Sequence, residues 1–361
     1  MAKRLHHHFE PEKGWINDPN GLVFFRGEYH AFFQHNPYEP KWGPMHWGHA
    51  VSRDLIHWNE LPIALSPDQP YENSGGCFSG GALVKDNVLY VFYTAVSEEL
   101  GQTQCLAMSR DGVHFEKYPG NPIIKSYPSD GSEDFRDPHV FEYGGAYFMV
   151  IGSGKNGVGK ILLYRSEDLI NWDYRGVLFE GAKYGGVLEC PDFFALDGKF
   201  VLMFSQTGRK THSTAFITGQ FDGERFLPEA EFYPEAGPHF YAPQTFHDET
   251  GRRILIAWLY SWDKTPDETV PYAGALTIPR EVFFCPGNGA LCTYPVKEAW
   301  PLFAKSDEHV EISENCVKIK TKKNEPPLRF SGHVKQVDIL ADTKTIEVFI
   351  NGGESSFSYW F

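Results

Sequence analysis

Along most of the chain, short apolar and aromatic runs alternate with polar residues at a period of two and are cut by glycine-bearing turns, the pattern of strands rather than helices. Five stretches read as strand–turn–strand hairpins: 22–25 with 29–34, 82–84 with 88–94, 139–142 with 146–151, 192–195 with 199–205, and 244–246 with 253–259. Their turns carry RGE, KDN, YGG, LDG and DETGR, residue types that reach turn conformations at little steric cost. An all-β chain is expected.

The hairpins recur. Asp18, Ser79, Asp137, Glu189 and Tyr241 stand just before them, at successive gaps of 61, 58, 52 and 52 residues. A second signature follows in the early units as SRDLIHW (52–58), SRDGVHF (109–115) and SEDLINW (166–172), with a weaker echo, FDGERF, at 221–226. Such a period predicts a five-bladed β-propeller. The first strand of each blade lines the axis, so Asp18, Asp137 and Glu189, read as sharing one phase of the repeat, converge at one end of it. The aspartates of the second signature are expected to cap turns, and its aromatics to pack between blades. The propeller is expected to span residues 1–300. Residues 301–361 alternate as strands (VEISENCVKIKT, VKQVDILAD, TIEVFINGGESSFSYWF) and form a short C-terminal β module resembling a truncated β-sandwich.

Composition narrows the function. A formal net charge of −14 argues against a nucleic-acid partner, which needs clustered Lys and Arg. The aromatic share, 16%, suits both a β core and a cleft in which sugar faces stack on rings. No apolar stretch reaches membrane-spanning length, and the start, MAKRLHHHFEPEKGW, lacks the apolar run of a secretory leader. A cytoplasmic chain with six free thiols is therefore expected, or a secreted one if a leader preceded it. His6, His7 and His8 are read as neither a metal site nor a tag. The cysteines and histidines show no metal-ligand spacing, so neither a metal nor another cofactor is expected.

The chemistry lies in three acidic motifs: Asp18 in WINDPNG, Asp137 in FRDP and Glu189 in ECPDFF. Glycoside hydrolysis needs one carboxylate as nucleophile or base and one carboxylic acid as proton donor. Glu189, between GGVL and Cys-Pro-Asp-Phe-Phe, has the dry setting that suits a general acid. Asp18 lies among groups able to hydrogen-bond its ionised form, as a nucleophile requires. Arg136 is expected to keep Asp137 ionised and ready to accept from sugar hydroxyls.

WINDPNG, FFQHNP (32–37), WGPMHWGHAVSRDLIHW (42–58), FSGGALV (78–84), FRDP, ECPDFF and HFYAPQTF (239–246) together resemble glycoside hydrolase family 32. The family contains invertases, sucrose-6-phosphate hydrolases, inulinases and levanases. The resemblance implies a five-bladed propeller with a β-sandwich, and release of terminal β-fructofuranosyl units from sucrose, fructo-oligosaccharides or fructans. It implies Asp18 as nucleophile, Glu189 as acid/base and Asp137 as transition-state stabiliser. Asn17, Gln34, Trp42, Phe78, Ser79, Arg136 and Tyr241 match fructose-pocket positions, with Trp262 on the leaving-group side. Trp42 and Phe78 have a second reading as packing between blades. Gly81 stands where the family usually has a second serine, which is expected to widen the wall near Phe78 and Ser79. The tail is shorter than the family's sandwich. Three alternatives stand beside this reading: a fructosyltransferase, an arabinan- or xylan-directed five-bladed glycosidase, and a non-catalytic sugar-binding propeller.

Overall fold

The computed structural model describes residues 4–267 and 269–361; of the expected 1–300 unit, residues 1–3 and Glu268 lie outside the described residues. Five arrays of four antiparallel strands follow one another in sequence, the first extended by a fifth, parallel strand. Their innermost strands are Gly14–Phe25, Gly76–Lys85, Phe135–Tyr143, Leu188–Leu196 and Tyr241–His247. Each innermost strand contacts the next, and the fifth contacts the first, so the sheets form the closed ring of a β-propeller.

Alternation explains why the ring is stable. The inner strands are buried on both faces while outer ones such as Phe226–Phe232 are largely exposed, and a separate apolar cluster fills each wedge between sheets. Phe32, Trp47 and Tyr93 join the first and second sheets. Phe92, Leu106 and Met149 join the second and third, Val150, Phe193 and Leu202 the third and fourth. Val201, Met203 and Leu255 join the fourth and fifth, and Ile16, Phe33 and Ile254 the fifth and first. The ring closes through Tyr272–Ala273, which leaves the fifth sheet to pair in parallel with Gly14 and Trp15.

The second signature caps turns. Asp54, Asp111 and Asp168 each accept the backbone N–H groups two and three residues on, at 2.8–3.0 Å. Asp222 of the weaker echo does the same. The residue after each aspartate is left-handed: Leu55, Gly112, Leu169 and Gly223 have φ of 67°, 81°, 70° and 97°. Trp172 packs edge-on to Phe92 of the neighbouring sheet.

The tail forms two three-stranded sheets, Val310–Ser313, Cys316–Ile319 and Leu328–Ser331, then Val337–Ala341, Thr345–Ile350 and Ser355–Trp360. Val317 and Ile319 of one share a buried cluster with Ile346, Val348 and Phe357 of the other, which makes a reduced sandwich. A fully buried guanidinium, Arg280, ties it to the ring through Glu235, Glu347, Ser356 and Ser358. The N-terminal histidines are structural. The His8 ring bridges Asp342 at 2.9 Å and Glu347 at 2.8 Å.

One expectation about the thiols is corrected. Cys285 and Cys292 are disulfide-bonded, because the hairpin of Arg280–Phe284 and Leu291–Pro295 brings their Cα atoms to 5.9 Å. Cys77, Cys105, Cys190 and Cys316 are free.

Candidate active site

A cavity of about 380 Å³ opens at one end of the ring, lined by Asn17, Asp18, Gln34, Trp42, Phe78, Ser79, Arg136, Asp137, Glu189, Tyr241 and Trp262. Every residue singled out in the sequence thus reaches one site. Gln102 and Asp134 complete the lining and were not anticipated. Asp134 carried a local signal, since it precedes Arg136 by two on an extended segment and so shares its face. Gln102, on the third strand of its sheet, carried none.

β-Bulges aim these side chains. In the first sheet the pairing jumps from Ile16↔His35 to Pro19↔Phe33, leaving Asn17 and Asp18 opposite Gln34. In the last three sheets the break falls just after Arg136, Glu189 and Tyr241, which pair with Gly152, Ser205 and Trp258. The next residues, Asp137, Cys190 and Ala242, have left-handed φ of 66°, 48° and 49°, each followed by proline. An extra residue at such a point re-aims the chain. This corrects the shared phase read from the sequence. Glu189 and Tyr241 are equivalent to Arg136, one place ahead of Asp137.

The two aspartates meet at Cys190. Asp18 Oδ2 accepts the Ser79 hydroxyl at 2.8 Å, and Asp137 Oδ2 accepts the Cys190 N–H at 2.8 Å. The Cys190 thiol stands 3.6 Å from Asp18 Oδ2 and 3.5 Å from Asp137 Oδ2. Asp18 Oδ1 is buried and has no hydrogen-bond partner among the described residues. A buried oxygen left in that condition is costly unless something else is meant to meet it.

Arg136 departs from expectation. Its Nη2 and Nε donate to Glu189 Oε1 at 2.8 and 3.2 Å, and its Nη1 donates to Asp134 at 2.7 Å. The Tyr241 hydroxyl donates to Glu189 Oε2. The dry surroundings expected for Glu189 are therefore an ion pair and a phenol, supplied by neighbouring sheets. Asp137 is 2% exposed. Burial, with the charges of Glu189 and Asp18, outweighs Arg136 and pushes its carboxyl up to about 7. Burial also pushes Asp18 up, with Glu189 adding to it and the polar groups of Asn17, Ser79 and Cys190 opposing it.

The remaining lining residues shape the pocket. Asn17 accepts the Trp15 indole N–H at 2.7 Å, and Gln34 donates to the Cys77 carbonyl at 3.0 Å. Trp42 and Trp262 are 50% and 52% exposed at the mouth. Trp42 stands edge-on to Phe78, with centroids 6.1 Å apart, and Trp262 stacks on Trp15 at 5.8 Å. Trp42 is thus a cavity wall rather than packing between blades. Gly81 does not widen that wall. A Cβ there would meet the Pro138 carbonyl oxygen at 3.1 Å and His139 Cα at 3.3 Å, so the glycine lets two inner strands approach.

Residues 8–295 match the family described as glycosyl hydrolases family 32, N-terminal domain. The chain is 35% identical over 374 residues to a sucrose-6-phosphate hydrolase of Zymomonas mobilis, a match covering 96% of this chain and 70% of the relative. It is 41% identical over 319 residues to a raffinose invertase of Escherichia coli, covering 82% of this chain and 66% of that one. Among solved structures, a Bombyx mori family 32 β-fructofuranosidase superposes with a TM-score of 0.88 at 30% identity, over 99% of this chain and 89% of the other. With the propeller and the acidic cavity in place, these likenesses show that the chain belongs to glycosyl hydrolases family 32.

Proposed function

We propose that the protein is a β-fructofuranosidase that releases terminal fructosyl units from sucrose and related oligosaccharides with retention of configuration. The observation that carries this reading is the pairing of two unlike carboxyl groups in one cavity. Asp18 holds one oxygen on Ser79 and leaves the other buried and unpartnered. Glu189 is gripped by Arg136 and Tyr241.

Asp18 Oδ1 attacks the anomeric C2 of the fructosyl ring while Glu189, entering protonated, gives its proton to the departing glycosidic oxygen. The product of that step is a fructosyl ester on Asp18. Glu189, now a carboxylate, takes a proton from water, and the resulting oxygen nucleophile cleaves the ester and restores both groups. Asp137 accepts from the ring hydroxyls and steadies the positive charge that builds on the ring. Arg136 and Tyr241 hold Glu189 in line. The substrate assignment draws on the relatives, whose names include a sucrose-6-phosphate hydrolase, a raffinose invertase and a β-fructofuranosidase. The catalytic unit is residues 1–300, with 301–361 as a supporting module. Asp18→Asn and Glu189→Gln should each abolish fructose release from sucrose while circular dichroism stays unchanged; near wild-type turnover in either overturns the assignment.

A further inference from the structure

We propose that the cavity accepts an uncharged leaving group and that Asp134 is the residue that turns away a phosphorylated one. This rests on the fructosidase reading and adds a substrate class to it.

The cavity is graded from floor to mouth. Asp137, Ser79, Asn17 and Gln34 are 2–3% exposed, so the ring attacked at C2 sits among them. The group that leaves must then point to the mouth. There it meets Trp42 and Trp262, both half exposed, and Asp134, whose side chain is 40% exposed.

The lining is richer in acidic than in basic side chains. The lining holds four carboxyl groups, Asp18, Asp134, Asp137 and Glu189, against one cation, Arg136. Arg136 is already committed: Nη1 to Asp134 at 2.7 Å and to Gln102 at 3.3 Å, Nε and Nη2 to Glu189. A phosphate is held most strongly by cations, and among the described residues this lining offers it no free cation. Lys41, beside Trp42, and Lys210, paired with Asp263 at 2.8 Å, do not line the cavity. Two tryptophan faces, an amide and a carboxylate are instead what a neutral sugar uses, through stacking and hydroxyl donation. The protein thus parts from the substrate in the name of its Zymomonas mobilis relative.

The test compares kcat/KM for sucrose and sucrose 6-phosphate at neutral pH and low salt. The expected result is a preference for sucrose of about tenfold or more, since juxtaposed like charges are strongly selective. Asp134→Asn should narrow that preference. Added salt, to about 0.5 M, should narrow it in the wild type by screening, a readout that stands even if the variant misfolds. Equal or better use of sucrose 6-phosphate by the wild type, or a preference that neither Asp134→Asn nor salt alters, overturns the proposal. Failure to release fructose from either ester or parent sugar overturns the fructosidase reading beneath it.

Discussion

Arg136 lays its guanidinium on Glu189, with Nη2 2.8 Å from Oε1, and not on the aspartate that follows it in the chain. The bulge after Arg136 is the cause, since it turns Asp137 toward Cys190 and leaves Arg136 facing the next inner strand. Arginine therefore serves Glu189, and Asp137 is left as a buried carboxyl with no ion-paired cation among the described residues.

Lysine at position 136 cannot reproduce donors set in a planar fork. Arg136→Lys should lower kcat/KM for sucrose by about a hundredfold or more, the range for losing a preorganised charged donor, with most of the loss in kcat. Steady-state kinetics check this, and a change confined to KM would count against it.

Asp137 makes the protein less stable than it could be. Its folded-state carboxyl is raised to about 7, so the native chain holds this proton more tightly than the unfolded chain does. The cost of ionising it in place is absent below about pH 4, grows as pH rises, and is complete above about 7. Asp137→Asn should therefore raise the unfolding free energy at pH 8 by up to a few kcal/mol, read by urea denaturation, and have little effect near pH 4, while fructose release is lost. A variant destabilised at pH 8 would refute the buried-charge account.

Much of this was legible in the sequence because the propeller repeats. Turn residues and alternation mark each hairpin, WINDPNG, FRDP and ECPD mark its entrance, and the family resemblance adds the other lining residues apart from Gln102 and Asp134. What escaped depended on one-residue offsets or on distant partners. A bulge shifts phase by one, and the spacing of Glu189 from Asp137 does not reveal it. Gln102 reaches the cavity from the third strand of its sheet. The partners of His8 lie 334 and 339 residues away. The Cys285–Cys292 bond depends on a hairpin that composition does not disclose.

His8 locks the N-terminal segment to the tail. Burial opposes its charge, but hydrogen bonds to Asp342 and Glu347 outweigh that and push the ring up to about 9. Its stabilisation is fully present below about pH 6.5 and disappears as pH rises through 9. His8→Gln should lower stability on the order of 3 kcal/mol at pH 6 and much less at pH 10, by urea denaturation at each pH. An equal loss at both would contradict the charged bridge.

Trp42 should act on binding more than on chemistry. Trp42→Ala removes one face at the mouth and should raise KM for sucrose by roughly three- to tenfold, the worth of one aromatic contact. A loss carried by kcat instead would place Trp42 deeper in the mechanism than its half-exposed position allows.

The account turns on Asp18 as a nucleophile working with Glu189. Attack by Asp18 followed by attack of water inverts C2 twice, so the first fructose released should be the β-furanose. Carbon NMR of the first-formed anomer from sucrose, recorded before mutarotation, tests this most directly. The β-furanose appearing first is the predicted result, and the α-furanose appearing first would contradict the account.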